Sequence, residues 1–425
     1  MIATDNSLFK VKQSWFGIVV CLAAITQVLI AEPAHAQALS EQSITIGPDE
    51  FSVRVPPGFE LELLTTELSG PRVIHNHNGA LLIGSKSGSI YQLTPPFNNP
   101  VEIAFLRDYP HSVVVHESYL YVAHTSGIVR TAWPIDTSKT PLPLASKDFE
   151  RVTLLPGGGG HNSRTLKLGP DNRLYVSLGI TGNCSNEYLS ESYPWDAQRG
   201  GFFVLDALPS DANSESRNTN THRASSYSSG LRNPVGFDWH PQTGVMYASN
   251  NGPDHLGYEL PRESFAKVTE HSFHGMPWFL WNGDQLLQDP CIDRAPPRSA
   301  EEVVAPVATF PARIAPMDVG FVNTNHPSWQ PYHHDAIVAL HGSWATSDGT
   351  GQGDPASRRE PMLVRVEFDD EGAATGEVHP VIEGFQLEDG SRWARPMGVA
   401  FDDEGSMFFT SDGGVHGLFR LRPSN

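Results

Sequence analysis

Apolar residues along this chain fall in short runs that alternate or cluster and then break at Gly, Pro, Asn or Asp. Val53, Val55, Phe59, Leu61 and Leu63 alternate with Glu60 and Glu62 between positions 53 and 65, the period of a half-buried strand. Gly70-Pro71 turns into Arg72-Val73-Ile74. Asn76-His77-Asn78-Gly79 has hairpin-turn composition, and Ala80–Gly84 and Ser89–Leu93 follow as strands.

The same grammar recurs: an apolar strand, a tight turn, an apolar strand closing on Gly or a small polar residue, then a further strand. Later copies begin at His111, at Pro156 (whose strands flank Gly169-Pro170-Asp171-Asn172), at Asn233, at Pro316 and at Pro396. With the copy opening at Gly70, that makes six. The expectation is an all-β fold, a six-bladed β-propeller of four-stranded antiparallel blades, in which surplus length per unit sits in loops. Phe59–Leu64 has no turn–strand pair of its own before it. It is expected to supply the outer strand of the last blade and close the ring. A pair of β-sandwiches would also give short strands, but not polar loop residues at the same place in each unit.

Composition narrows this reading. The chain has 425 residues, a net charge of −19, 18% charged residues, 38 Gly and 34 Pro. That suits an ordered, turn-rich β protein and argues against nucleic acid or an anionic membrane as partner. Lys10 and Lys12 precede an apolar run from Trp15 to Ala31, and Ala34-His35-Ala36 is an A-x-A cleavage site. Residues 1–36 are therefore expected to be a signal peptide, directing export to the periplasm or the exterior, rather than a retained anchor. A polar linker, 37–50, and one propeller domain, 51–425, should follow. The mature chain keeps Cys184 and Cys291, which could pair in an oxidising compartment or stay as thiols.

Propeller topology brings the entries to the innermost strands together at one face. Gly160-His161-Asn162-Ser163-Arg164, Gly230-Leu231-Arg232-Asn233-Pro234, Asn250-Asn251-Gly252-Pro253-Asp254 with Glu259, His341-Gly342-Ser343-Trp344 and Arg392-Trp393-Ala394-Arg395-Pro396 all fall there. The set holds an imidazole able to move a proton near neutral pH and guanidiniums suited to carboxylates. Arginines at a channel mouth of an acidic protein imply an anionic ligand. Gly252 and Pro253 carbonyls with Asn251, Asp254 and Glu259 side chains form an oxygen-only donor set suited to Ca2+, and no Cys/His spacing suits zinc. Each residue also has a structural reading, as a loop histidine, an inter-blade pair or an ordinary turn. His75, His111 and His124 are expected in loops with no chemistry.

On Gly160–Leu166, Ser229–Gly236, Asn250–Pro253, His341–Trp344 and Arg395–Ala400, the chain resembles the soluble pyrroloquinoline quinone (PQQ)-dependent glucose/aldose dehydrogenases, above all their L-sorbosone dehydrogenase branch. The resemblance spans the mature chain. It implies an enzyme oxidising a sugar or related aldehyde or alcohol, by hydride transfer to PQQ, with an external electron acceptor. His161 would be the general base and Arg232 would polarise the quinone oxygens. Asn233 would bond the cofactor, Arg395 and Arg392 would meet its carboxylates, and His341 and Trp344 would line its place. Gly252, Pro253, Asp254 and Glu259 would hold Ca2+. Two departures stand out. The lysine that relatives carry before the last blade is absent from Glu360–Arg365, leaving Arg358 or Arg359 to substitute, and Tyr258 stands where a second carboxylate is common. Two other readings stay open: a Ca2+-dependent lactonase or other hydrolase, and a non-catalytic carbohydrate-binding propeller.

Overall fold

The computed structural model describes residues 38–206, 224–343 and 355–424. The expected signal peptide and Trp344 lie outside the described residues. The expected linker is a correction: β1 (Ser40–Ile46) pairs antiparallel with β2 (Asp49–Val55), from Ser40 opposite Val55 to Ile46 opposite Asp49. Its polarity disguised it because one face alone is covered. Ile44, Val53 and Val55 are buried, while Glu41, Ser43, Thr45 and Ser52 face solvent. The Gln42 side chain bonds both the carbonyl and the N–H of Leu61, fastening the hairpin to β3 (Phe59–Thr65), and Phe51 stacks on Trp393 with ring centroids 4.8 Å apart.

Six sheets follow, as the repeat predicts. The first holds β4 (Pro71–His77), β5 (Ala80–Ser85), β6 (Ser89–Leu93) and β7 (Val101–Phe105). The second holds β8 (Ser112–His116), β9 (Tyr119–His124), β10 (Gly127–Ala132) and β11 (Glu150–Leu154). The third holds β12 (Leu166–Leu168), β13 (Arg173–Leu178), β14 (Gly201–Asp206) and β15 (Ser225–Ser229). In the fourth, β16 (Phe237–Trp239), β17 (Met246–Asn250) and β18 (Glu263–Val268) are followed by a side hairpin, β19 (Phe279–Asn282) with β20 (Gln285–Gln288), before β21 (Ala308–Phe310) completes the sheet. The fifth holds β22 (Pro316–Phe321), β23 (Ala336–Leu340), β24 (Met362–Phe368) and β25 (Ala374–Ile382).

The sixth is built from β26 (Ala394–Phe401), β27 (Met407–Pro423) and β3. Phe409 and Phe419 of β27 stack with centroids 4.9 Å apart, although a straight strand would hold them about 33 Å apart. The segment therefore folds back on itself near Gly413-Gly414, where Gly414 has φ +68°. Its first half pairs with β26 and its second half, Leu418–Pro423, with β3, so this blade too has four strands, the last from the N-terminal side as expected. The fold is an all-β, six-bladed propeller of four-stranded antiparallel blades.

Neighbouring blades are stitched at their inner edges. Ser112 Oγ donates to the Arg164 carbonyl, Thr165 Oγ1 to that of Val235, Ser249 Oγ to that of Met317 and Thr410 Oγ1 to that of Arg72. Val399 N–H donates to Asp318 and Ser85 N–H to the Pro110 carbonyl. The approach is close enough that a Cβ at Gly236 would lie 2.1 Å from the Met317 oxygen, so only glycine fits. Val73, Val235 and Met397, with Met317 against them, pack on the axis.

Candidate functional site

Antiparallel order gathers three kinds of segment at one face of the ring: entries to first strands, exits from second strands and entries to third strands. All the described candidate residues stand on such segments. His161 lies on the loop into β12. Its Nδ1 bonds the Ile180 carbonyl at the exit of β13, which fixes the proton on Nδ1 and leaves the Nε2 lone pair available. Burial, then the Arg232 guanidinium, with Arg164 and Arg199 adding to it, pushes this imidazole down to about 4. It is thus an unprotonated acceptor at neutral pH. Gly179 is obligatory beside it: a Cβ there would fall 2.6 Å from both His161 Cβ and Asn233 Oδ1. Of the four preceding glycines, Gly158 and Gly159 have φ near +80°, Gly160 N–H bonds the Thr181 carbonyl, and the run is exposed.

Arg232 and Asn233 lead into β16. The buried Arg232 donates to Asn183 Oδ1 (2.6 Å) and to the Asn251 carbonyl (3.3 Å), and lies 3.7 Å from Asp254. Asn233 N–H bonds Asn250 Oδ1, and its carbonyl takes the Asn251 N–H and side chain. These contacts join the β16 entry to the β17 exit as one rigid corner.

The cation set expected at that exit is revised. Among the described residues, the Gly252 and Pro253 carbonyls accept no hydrogen bond. The Asp254 carboxylate, however, lies between Arg232 and Arg313, and the Glu259 side chain is 76% exposed and paired with Arg359 at 2.8 Å. Sequence proximity pointed to these two acids, but guanidiniums hold both. The carboxyl that does reach the corner is Glu263, at the start of β18, which accepts the Gly252 N–H. It is buried, and burial pushes it up to about 8. Nothing in its spacing marked it.

On the opposite side, His341 follows β23. It too is buried, its Nε2 donating to Asp412 Oδ1 at 2.6 Å, and burial pushes it down to about 4. Asp412 also binds Arg72 (2.5 Å) and Lys86 (3.3 Å). Although burial opposes ionisation, Arg72, His341 and Lys86 hold the Asp412 carboxyl well below the usual carboxylate range. His341 is therefore engaged within the wall, a correction to its expected place as a ligand-lining residue.

Arg395 donates to the His341 and Gly342 carbonyls (2.9 and 3.0 Å), and Arg392 to Gln386 and the Ser343 carbonyl. Burial, then Arg395 and Arg358, pushes Arg392 down to about 10. Arg358 and Arg359, the expected stand-ins for the missing lysine, precede β24 beside this pair, and the Nε of each is buried without a hydrogen bond. Arg164, Arg199 and Arg232 surround His161 in the same way. The face thus concentrates cations in a chain of charge −19.

The three histidines set aside are not all in loops. His75 lies in β4 and accepts the Val115 N–H, His111 is fully buried before β8, and His124 ends β9 bonded to Asp108. Cys184 and Cys291 form a disulfide. Among the described residues, no helix is long and apolar enough to cross a membrane.

Comparison with known proteins agrees with this architecture. The propeller is similar to a Trichoderma reesei carbohydrate-active enzyme of family AA12 (TM-score 0.69, 18% identity, 92% of this chain and 99% of that one). It is similar also to the PQQ domain of a pyranose dehydrogenase from Coprinopsis cinerea, solved in its holo form (0.66, 17%, 88% and 97%). The soluble aldose sugar dehydrogenase of Escherichia coli shares the fold at TM-score 0.57 and 15% identity, over 86% and 99% of the two chains. An uncharacterised protein of Borreliella burgdorferi is 25% identical over 388 residues, 88% of this chain and 92% of its own. A TrAA12-like family model matches residues 279–419, and the glucose/sorbosone dehydrogenase model matches residues 101–343, more than half of the chain. The protein belongs to the glucose/sorbosone dehydrogenase family of oxidoreductases.

Proposed function

We propose that this protein is an exported quinoprotein dehydrogenase that oxidises a sugar, or a related aldehyde or alcohol, with PQQ as cofactor and Ca2+ beside it. On the stretches Gly160–Leu166, Ser229–Gly236, Asn250–Pro253, His341–Trp344 and Arg395–Ala400 taken together, we assign it to the L-sorbosone branch. The observation that carries the reading is an imidazole with a free acceptor nitrogen beside the Arg232 guanidinium, on a face where Arg392, Arg395 and Arg358 also crowd together.

The donor set suits the cofactor. PQQ is a planar tricarboxylate, and Arg392 and Arg395, with Arg358 and Arg359 nearby, are the cations that would meet its carboxylates. Arg232 and Asn233 would hold its other edge. The free Gly252 and Pro253 carbonyls suit Ca2+, backed by the buried Glu263. When bound, PQQ supplies a two-electron acceptor and Ca2+ a Lewis acid next to it.

The protein's own residues then have distinct tasks. His161 Nε2 takes the proton of the substrate hydroxyl, and its bond to Ile180 aims the ring. Arg232 steadies negative charge developing within its reach. A lactonase would need acidic side chains free to ring a metal, whereas here Asp254 and Glu259 are paired with arginines. The test is to add PQQ and Ca2+ to purified protein, pass it through gel filtration and assay dye reduction with a panel of aldoses. Retained quinone absorbance and sugar-dependent reduction are expected. Loss of all quinone on the column overturns the reading.

A further inference from the structure

We infer that Asn183 is a positioning residue for the Arg232 guanidinium, and that the Cys184–Cys291 disulfide holds Asn183 in place. The inference rests on the proposed cofactor site and adds a part to it that lies outside every motif. Asn183 Oδ1 makes the shortest contact to Arg232, 2.6 Å, and also accepts the Asp254 N–H at 3.3 Å. The remaining holds on that guanidinium, the Asn251 carbonyl and the Asp254 carboxylate, lie at 3.3 and 3.7 Å. One amide oxygen therefore decides where the cation points.

Asn183 sits in the connection between β13 and β14, outside any strand. Around it, Thr181 N–H bonds Glu187, and the Thr181 and Ser185 hydroxyls bond each other, all within the loop. Besides the Ile180 N–H bond to the Arg232 carbonyl and the packing of Tyr188 on Phe273 and Trp278, the covalent tie to the next blade is the disulfide at Cys184, one residue along from Asn183, which spans 107 positions of sequence. Its other end is firmly seated. Cys291 N–H bonds Asp289 Oδ1 at 2.9 Å, Asp289 is buried, and the same oxygen takes His255 Nε2 at 2.9 Å. His255 follows Asp254 in sequence, so loop, platform and Arg232 corner close into one circuit.

The test compares Asn183→Ala, Asn183→Asp and the Cys184→Ser/Cys291→Ser pair with the unaltered protein. PQQ affinity is read by tryptophan quenching, and accessibility of Arg232 by phenylglyoxal labelling and peptide mass spectrometry. Asn183→Ala and the Ser pair are each expected to weaken PQQ binding about tenfold and expose Arg232 to label. Combining them should cost no more than either alone, and Asn183→Asp, which keeps the acceptor oxygen, should restore shielding. Asn183→Ala should leave the melting temperature unchanged, which separates positioning from general support by the crosslink. A Ser pair that binds PQQ normally and keeps Arg232 shielded overturns the proposal. If that pair does not fold, an Asn183→Ala protein with normal affinity and a shielded Arg232 overturns it equally. If the unaltered protein binds no PQQ, the cofactor reading fails while labelling still decides the role of Asn183.

Discussion

His161 is defined as much by what surrounds it as by what it is. Burial and three guanidiniums keep its ring neutral, and the Ile180 carbonyl fixes which nitrogen is free. Replacing it with Ala should lower turnover about 10²-fold or more while PQQ still binds, checked by kcat beside a cofactor titration. An unchanged kcat removes it from the mechanism. Asp412 is the counterpart in the wall. With Arg72, Lys86 and His341 converging on one buried carboxylate, Asp412→Ala should destabilise the fold by roughly 3–5 kcal/mol, measured by urea unfolding. Legibility at this scale followed sequence distance. His161, Arg232, Asn233 and Arg392 could be placed at one face because each precedes an inner strand, and Arg395 because it opens one, whose place the repeat fixes. Asp412 could not, since its partners Arg72 and His341 are 340 and 71 positions away and meet it only once the ring closes. Asp254 and Glu259 show the converse error, in which nearness along the chain to Gly252 concealed the arginines that hold them.

Strands were legible wherever an apolar face repeated, and turns wherever Gly, Asn or Asp interrupted them. β1 was not, because Ile44 and Ile46 alternate with Ser and Thr in an otherwise polar stretch and the hairpin's buried partners lie near the other end of the chain. Phe51 helps to tie the hairpin down, stacked on Trp393, which lies between Arg392 and Arg395 in sequence. Phe51→Ala should cost about 1–3 kcal/mol, less than a fully buried phenylalanine because one side is open to water, again by urea unfolding. A value near zero means that the hairpin is only loosely attached.

Across the molecule, buried imidazoles make stability depend on acidity. Burial first, with neighbouring charges behind it, pushes His75 down to about 3 and His161, His274 and His341 to about 4. The unfolded chain binds protons at these sites near pH 6.5, the folded one only near pH 4 or below. Their contribution is thus intact above pH 6.5 and lost progressively as pH falls towards 4, while Asp412 adds its own loss below that window. Melting temperature should decline across that interval. His274→Gln, at a site bonded to Ser272, should flatten the decline.

The sixth blade takes its outer strand from residues 59–65 and its third from residues 418–423. These are among the first and the last segments of the described chain to leave a ribosome. Until residues 418–423 have been made, the early strand waits without its partner and the ring stays an open arc. Synthesis of that segment thus becomes the event that latches the molecule. A product cut short before it would lack the latch, leaving two raw sheet edges for quality control to find.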